Sequence, residues 1–203
     1  MKCFFIEPVN KLQRHLRRYA SGSTCPGPWS YHNISVPFDV IEYDKFTDEG
    51  CYPADSRGGP PKSDPRWPAR CSCGYEFTEK DEFQFFNERV YRRADTSEEM
   101  TLRGVTPGAM WYGDWMLTEG SNLYRGPDGH SLMVKLPNGN EWHIDGMASN
   151  CTMPDDSDHK CWVRHGDVPN ITVDKEGRSC AAGAGSIQSG NYHGFLRNGE
   201  FVE

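Results

Sequence analysis

Eight cysteines in a chain of 203 residues with few aliphatic side chains constrain this sequence more than any other feature. Leu, Ile, Val and Phe together supply only 34 of its residues. A core drawn from so little aliphatic material needs help from cross-links or a metal. Six Trp, nine Tyr and ten Phe still allow a compact fold, because each aromatic ring buries a large area. The formal charge of −7 is too modest for a disordered chain, and 21 Gly with 14 Pro argue against a helical bundle.

The environment decides what the thiols do. The apolar run Cys3-Phe4-Phe5-Ile6 is stopped by Glu7 and Pro8, so no signal-peptide core is expected. No later apolar stretch approaches the roughly 20 residues that span a bilayer. The expectation is a soluble intracellular protein without membrane association, whose cysteines stay reduced and act as metal ligands or buried thiols. The acidic balance also makes nucleic acid an unlikely main partner, since phosphate binding needs a dense basic surface. Lys11, Arg14, Arg17 and Arg18 form the one local basic cluster, read as a solvated face rather than a phosphate site.

The elements read as α+β, mostly antiparallel sheet with one prominent helix and many loops. Residues 1–44 form an N-terminal arm, 45–68 a Pro/Gly-rich loop, and 69–203 the main body. Residues 11–19 fit a short helix capped by Asn10 or an exposed strand equally well. The prominent helix is expected over 79–93. Thr78 precedes Glu79, Asp81 and Glu82 in the manner of a capping box, Phe83, Phe86 and Val90 recur at helical spacing, and Arg92 and Arg93 suit the C-terminus. Beyond it, Leu123-Tyr124, Ser131–Leu136 and Glu141–Asp145 are expected as a three-stranded meander. Strands are expected at 162–164 and 171–173, and a final hairpin at 194–202 turns on Asn198-Gly199.

Cys71-Ser72-Cys73-Gly74 is the strongest chemical motif. Two thiolates one residue apart, followed by Gly, can aim at one point, and zinc takes four such ligands in a tetrahedron. Cys151 and Cys161, at the two ends of an acidic loop, complete the expected set of Cys71, Cys73, Cys151 and Cys161. Cys180 with His193, or His165 in place of one sulfur, are the alternates. Cys3, Cys25 and Cys51 have no partner at ligand spacing and are read as free or buried.

Two constellations hold other chemistry. Glu141, His143 and Asp145 alternate along a strand and would share one face, as a catalytic metal or a proton shuttle requires. The same pattern also describes the solvated face of a hairpin. Cys180 beside Ala181–Ser186, with His193 as base, has the ingredients of a nucleophile, but the Gly-rich loop fits close backbone packing equally well. Asp155-Asp156-Ser157-Asp158 lacks the glycine and closing glutamate of a calcium loop. Trp111-Tyr112-Gly113-Asp114-Trp115 is either core or a protein contact.

Cys71-Ser-Cys-Gly-Tyr, Trp142-His-Ile-Asp-Gly, His159-Lys-Cys-Trp-Val-Arg-His-Gly, Ser179-Cys-Ala-Ala-Gly-Ala-Gly-Ser-Ile and Tyr192-His-Gly-Phe-Leu-Arg-Asn-Gly-Glu together resemble small uncharacterised proteins of tailed phages and prophages. The resemblance implies a context, a phage gene product in the bacterial host cytoplasm or virion, and carries no activity. The functional expectation is a zinc-stabilised protein that acts by binding another protein, a virion component or a host factor. The alternative is a metal-dependent hydrolase with an open metal position near Glu141, His143, Asp145 or His165.

Overall fold

A computed structural model of the chain describes residues 1–21, 24–26, 30–42, 58–176, 180, 182 and 185–203. Cys51 and most of the 45–68 loop lie outside the described residues. The described residues are 43% strand and 3% helical, and none of them lies in a helix of seven residues or more. Its strands are β1 (Phe4–Ala20), β2 (His32–Glu42), β3 (Glu82–Arg93), β4 (Glu99–Thr101), β5 (Ala109–Tyr112), β6 (Leu132–Lys135), β7 (Glu141–His143), β8 (Val163–His165), β9 (Thr172–Asp174), β10 (Ile187–Ser189), β11 (Tyr192–Arg197) and β12 (Glu200–Val202). Among the described residues, no helix is long and apolar enough to cross a membrane.

The expected α+β class is therefore wrong, and the segment responsible is 79–93, which is strand β3 and not a helix. The residues that mimic a helix cap make a turn instead. Asp81 N donates to Thr78 O at 3.1 Å, and the Asp81 carboxylate accepts from Thr78 N at 2.6 Å and Thr78 Oγ1 at 3.0 Å. Beyond that turn, Phe83 and Phe85 sit two residues apart and both pack edge-on against Trp67. Phe86 stacks on the His15 ring of β1. Aromatic residues suit a pleated surface, and here cross-strand ring packing overrides the helical period of Phe83, Phe86 and Val90. Residues 11–19 are likewise strand, within β1.

The chain divides into two compact units, Met1–Glu7 with Tyr91–Glu203, and Pro8–Val90. In the larger unit one sheet runs β4-β3-β1-β5-β6-β7, using the ends of β1 and β3 that belong to it. β1 pairs parallel with β5, while β5–β6 and β6–β7 are antiparallel. The third strand of the expected meander is thus β5; residues 123 and 124 lie in a turn. A second antiparallel sheet runs β10-β11-β9-β8, with β12 on β11. The β11–β12 hairpin turns on Asn198 and Gly199, both at positive φ, as expected. A Cβ on Gly199 would come within 2.5 Å of Pro169 O, so the close approach requires glycine.

This unit holds the main cores. Met110, Leu132, Val134, Leu136, Ile144, Ile171, Ile187 and Leu196 are among the residues of one. Phe4, Ile6, Tyr91, Ala109, Trp111 and Met133 belong to the other. Trp111 is fully buried whereas Trp115 is 57% exposed, which separates core from surface in the Trp111–Trp115 motif.

The smaller unit is much poorer. β1 pairs antiparallel with β2 from Lys11–Glu42 to Ala20–His32, with an irregularity between Arg14 and His15. Its buried hydrophobic residues among those described are Leu12, Leu16, Ala20, Cys71 and Val90. The basic cluster is not a solvated face. Arg14 is buried, and Arg18 donates to Pro68 O at 3.1 Å and Thr78 O at 2.6 Å while lying over Phe77.

Trp111→Ala should destabilise the larger unit by about 3–5 kcal/mol, and Trp115→Ala should stay within about 0.5 kcal/mol of the parent. Denaturant melts of the two variants check this assignment.

Candidate metal centres

Two four-residue groups bring metal-ligating atoms together, each with all its ligand atoms within 4.8 Å of one another: Cys25, His32, Cys71 and Cys73, and Cys151, His159, Cys161 and Cys180. The first lies in the smaller unit and the second in the larger. No disulfide links the described cysteines.

The first centre forms at the end of the β1–β2 hairpin where Ala20 pairs with His32, next to the connection between the strands. His32 begins β2, opposite Ala20, and its ring stacks on Tyr75 at 4.0 Å. Cys71-Ser72-Cys73-Gly74 supplies a tight turn, with Gly74 N donating to Cys71 O at 2.9 Å and Cys71 N to Tyr75 O at 2.9 Å. Gly74 has φ +96, which a side chain would resist. Cys25 Sγ lies 4.0 Å from Cys71 Sγ, and His32 Nδ1 lies 3.1 Å from Cys73 Sγ. Burial opposes ionisation of Cys71, but backbone hydrogen bonds at Cys73 and Asn33, with His32 and Cys73 beside it, lower its pKa to about 6.

The second centre gathers the loop before β8 and the turn after β9. Cys180 Sγ is 3.7 Å from Cys161 Sγ, and Cys161 Sγ is 3.5 Å from His159 Nε2. Tetrahedral zinc, with Zn–S near 2.3 Å and Zn–N near 2.0–2.1 Å, places its ligand atoms roughly 3.5–3.8 Å apart. Backbone amides also address the sulfurs: Met153 N donates to Cys151 Sγ at 3.3 Å and Ala182 N to Cys180 Sγ at 3.3 Å. Burial opposes ionisation of Cys180 as well, yet the Ala182 amide and its neighbours Cys161 and His159 bring its pKa down to about 6. Burial, reinforced by Cys151 and Cys180, pushes Cys161 up to about 12. A bound divalent cation would favour the thiolate throughout. Lys175 reinforces the turn by donating to the carbonyls of Cys161 and Ala182, at 3.0 and 2.6 Å, and to Cys180 O.

The expected set of Cys71, Cys73, Cys151 and Cys161 is thus divided between two centres, one pair in each. The pairs belong to different units, and each finds its remaining ligands close by in its own. Cys180 joins the second centre, but His193 does not; its Nε2 lies 3.0 Å from Ser186 Oγ. His165 also stays apart, 3.1 Å from Asp174 in an exposed group with Glu176. Cys25 is a member of the first centre rather than an isolated thiol, whereas Cys3 is buried and joins neither. His32 and His159 are the candidate ligands that sequence reasoning missed. A signal was present: each centre opens with a Cys followed seven or eight positions later by a His, and His159-Lys160-Cys161 has the one-residue spacing of Cys71-Ser72-Cys73.

Glu141, His143 and Asp145 do not form a site. β7 ends at His143, so the alternation does not reach Asp145. Glu141 pairs with Lys135 at 3.3 Å, His143 packs against Tyr124, and Asp145 is buried against Arg164.

No family model, no curated protein and no solved structure matches this chain.

Purified zinc-loaded protein should carry two zinc ions per chain by native mass spectrometry, and Cys73→Ser and Cys180→Ser should each leave one. A single ion that disappears with either substitution would mean one shared centre.

Proposed function

We propose that the chain is a phage- or prophage-encoded protein, stapled by two structural zinc ions, that works by binding another protein. The observation that carries this reading is ligand count. Each centre offers four side-chain ligands of the Cys3His type, the closed set of structural zinc, whereas catalytic zinc keeps a position for water or substrate. The hydrolase alternative loses its support accordingly, because Glu141, His143 and Asp145 are engaged separately.

Binding is favoured by the surface on offer. Trp115 is 57% exposed beside the buried Trp111. Trp supplies rigid contact area at interfaces, and a closed metal centre holds loops in place without reacting. The phage context rests on the sequence resemblance, and the partner is a virion component or a host factor of the bacterial cytoplasm.

Zinc-loaded chain immobilised through its C-terminus should retain one discrete protein from phage-infected bacterial lysate, and Trp115→Ala should weaken that retention at least tenfold with zinc content unchanged. Retention unaffected by the substitution would remove Trp115 from the interface. Zinc-dependent hydrolysis of generic ester or phosphodiester substrates would contradict the binding reading itself.

A further inference from the structure

The larger unit contains a cavity of about 550 Å³, whose lining includes Asn122, Arg125, Asp158, Lys160, Trp162 and Arg164. That volume falls in the ordinary range for small-molecule sites. Arg164 is part of that lining and is fully engaged. It donates to both oxygens of Asp128, at 2.9 and 2.7 Å, and to both of Asp145, each at 3.1 Å. Gly126 passes so close to this triad that a Cβ there would collide with Arg164 Nη2 and the Asp145 carboxylate. Arg164 is therefore held rigidly, with two carboxylates around its single positive charge.

The other two cations are engaged less closely, although the Asp145 and Asp158 carboxylates act on the Lys160 charge. Arg125 Nη1 donates to Gly129 O at 3.0 Å, and Lys160 Nζ donates to Asn122 O at 2.7 Å. Both acceptors are neutral carbonyls, and neither cation forms a salt bridge among the described residues. Asp158, the remaining acid in the lining, accepts from Asn122 Nδ2 at 2.6 Å. A guanidinium has five N–H donors and an ammonium three, so a surplus of charged donors lines the cavity. Trp162, held edge-on to Trp142 at 5.4 Å, forms an apolar wall.

We infer that this cavity binds a small phosphorylated molecule, with Arg125 and Lys160 holding the phosphate and the Trp162 indole lying along the organic part. Two cations suit a phosphate dianion better than a single carboxylate, and Arg and Lys both donate to such oxyanions in charge-assisted hydrogen bonds. The placement of Lys160 rests on the metal reading, because its neighbours His159 and Cys161 are ligands of the second centre.

The test is a titration of the full zinc-loaded chain with inorganic phosphate, followed by tryptophan fluorescence, with acetate in parallel and zinc content measured on the same samples. Saturable binding of phosphate, tighter than acetate and weakened at least tenfold by Arg125→Gln and by Lys160→Gln but not by the exposed Arg197→Gln, is expected. Melting and zinc content should be unchanged in all three variants. Zinc-loaded protein that shows no saturable response, or that binds phosphate equally well after Arg125→Gln, overturns the proposal. Phosphate binding that depends on Arg125 in a chain that takes up no zinc when zinc is supplied would uphold the cavity and overturn the metal reading instead.

Discussion

A tetrahedral metal ion imposes a distance condition on four side chains at once, and each unit of this protein contains one set of four candidate ligands whose atoms lie within 4.8 Å of one another. The sulfur–sulfur and sulfur–nitrogen separations of 3.7 and 3.5 Å in the second centre are those a zinc ion would set. A cation between the sulfurs would favour their thiolate forms and offset the repulsion between them. Because the unfolded chain has no preformed site, the free energy of binding is folding free energy, roughly 10–16 kcal/mol in small zinc modules at neutral pH.

The two units depend on that term unequally. The larger one has extensive apolar cores, and a metal at its candidate centre would link Cys151, His159 and Cys161 before β8 to Cys180 beyond β9. The smaller one has a long β-hairpin but few buried hydrophobic side chains, with Arg14, His15 and His32 also buried in it. Aromatic packing of Phe83 and Phe85 against Trp67 and the carbonyl contacts of Arg18 help, yet they lie along strand faces. The His32–Tyr75 stack and the candidate metal centre join the hairpin end to the Cys71 turn.

How far this was legible in the sequence follows from the range of each signal. The β11–β12 hairpin was readable because Asn198-Gly199 is a local turn with its own backbone preference. The Cys71-Ser72-Cys73-Gly74 turn was readable for the same reason. The segment 79–93 was misread because Thr78, Asp81, Phe83, Phe86 and Val90 satisfy a helical pattern locally, while the partners Trp67 and His15 that decide its fate lie elsewhere. The ligand sets failed similarly. Pairing Cys71 with Cys151 required a contact across the chain that spacing cannot reveal, whereas the actual partners Cys25 and His32 are brought to the Cys71 turn by the β1–β2 register.

The most direct test of the account is amide hydrogen exchange on the full chain before and after zinc is removed by a chelator at neutral pH. The account predicts that β1 from Lys11 onward, β2 and the Cys71–Tyr75 turn lose nearly all protection, that β5, β6 and β11 keep most of theirs, and that added zinc restores the original pattern. Unchanged protection of β2 and the Cys71 turn in the zinc-free chain would contradict the claim that a metal ion holds the smaller unit together.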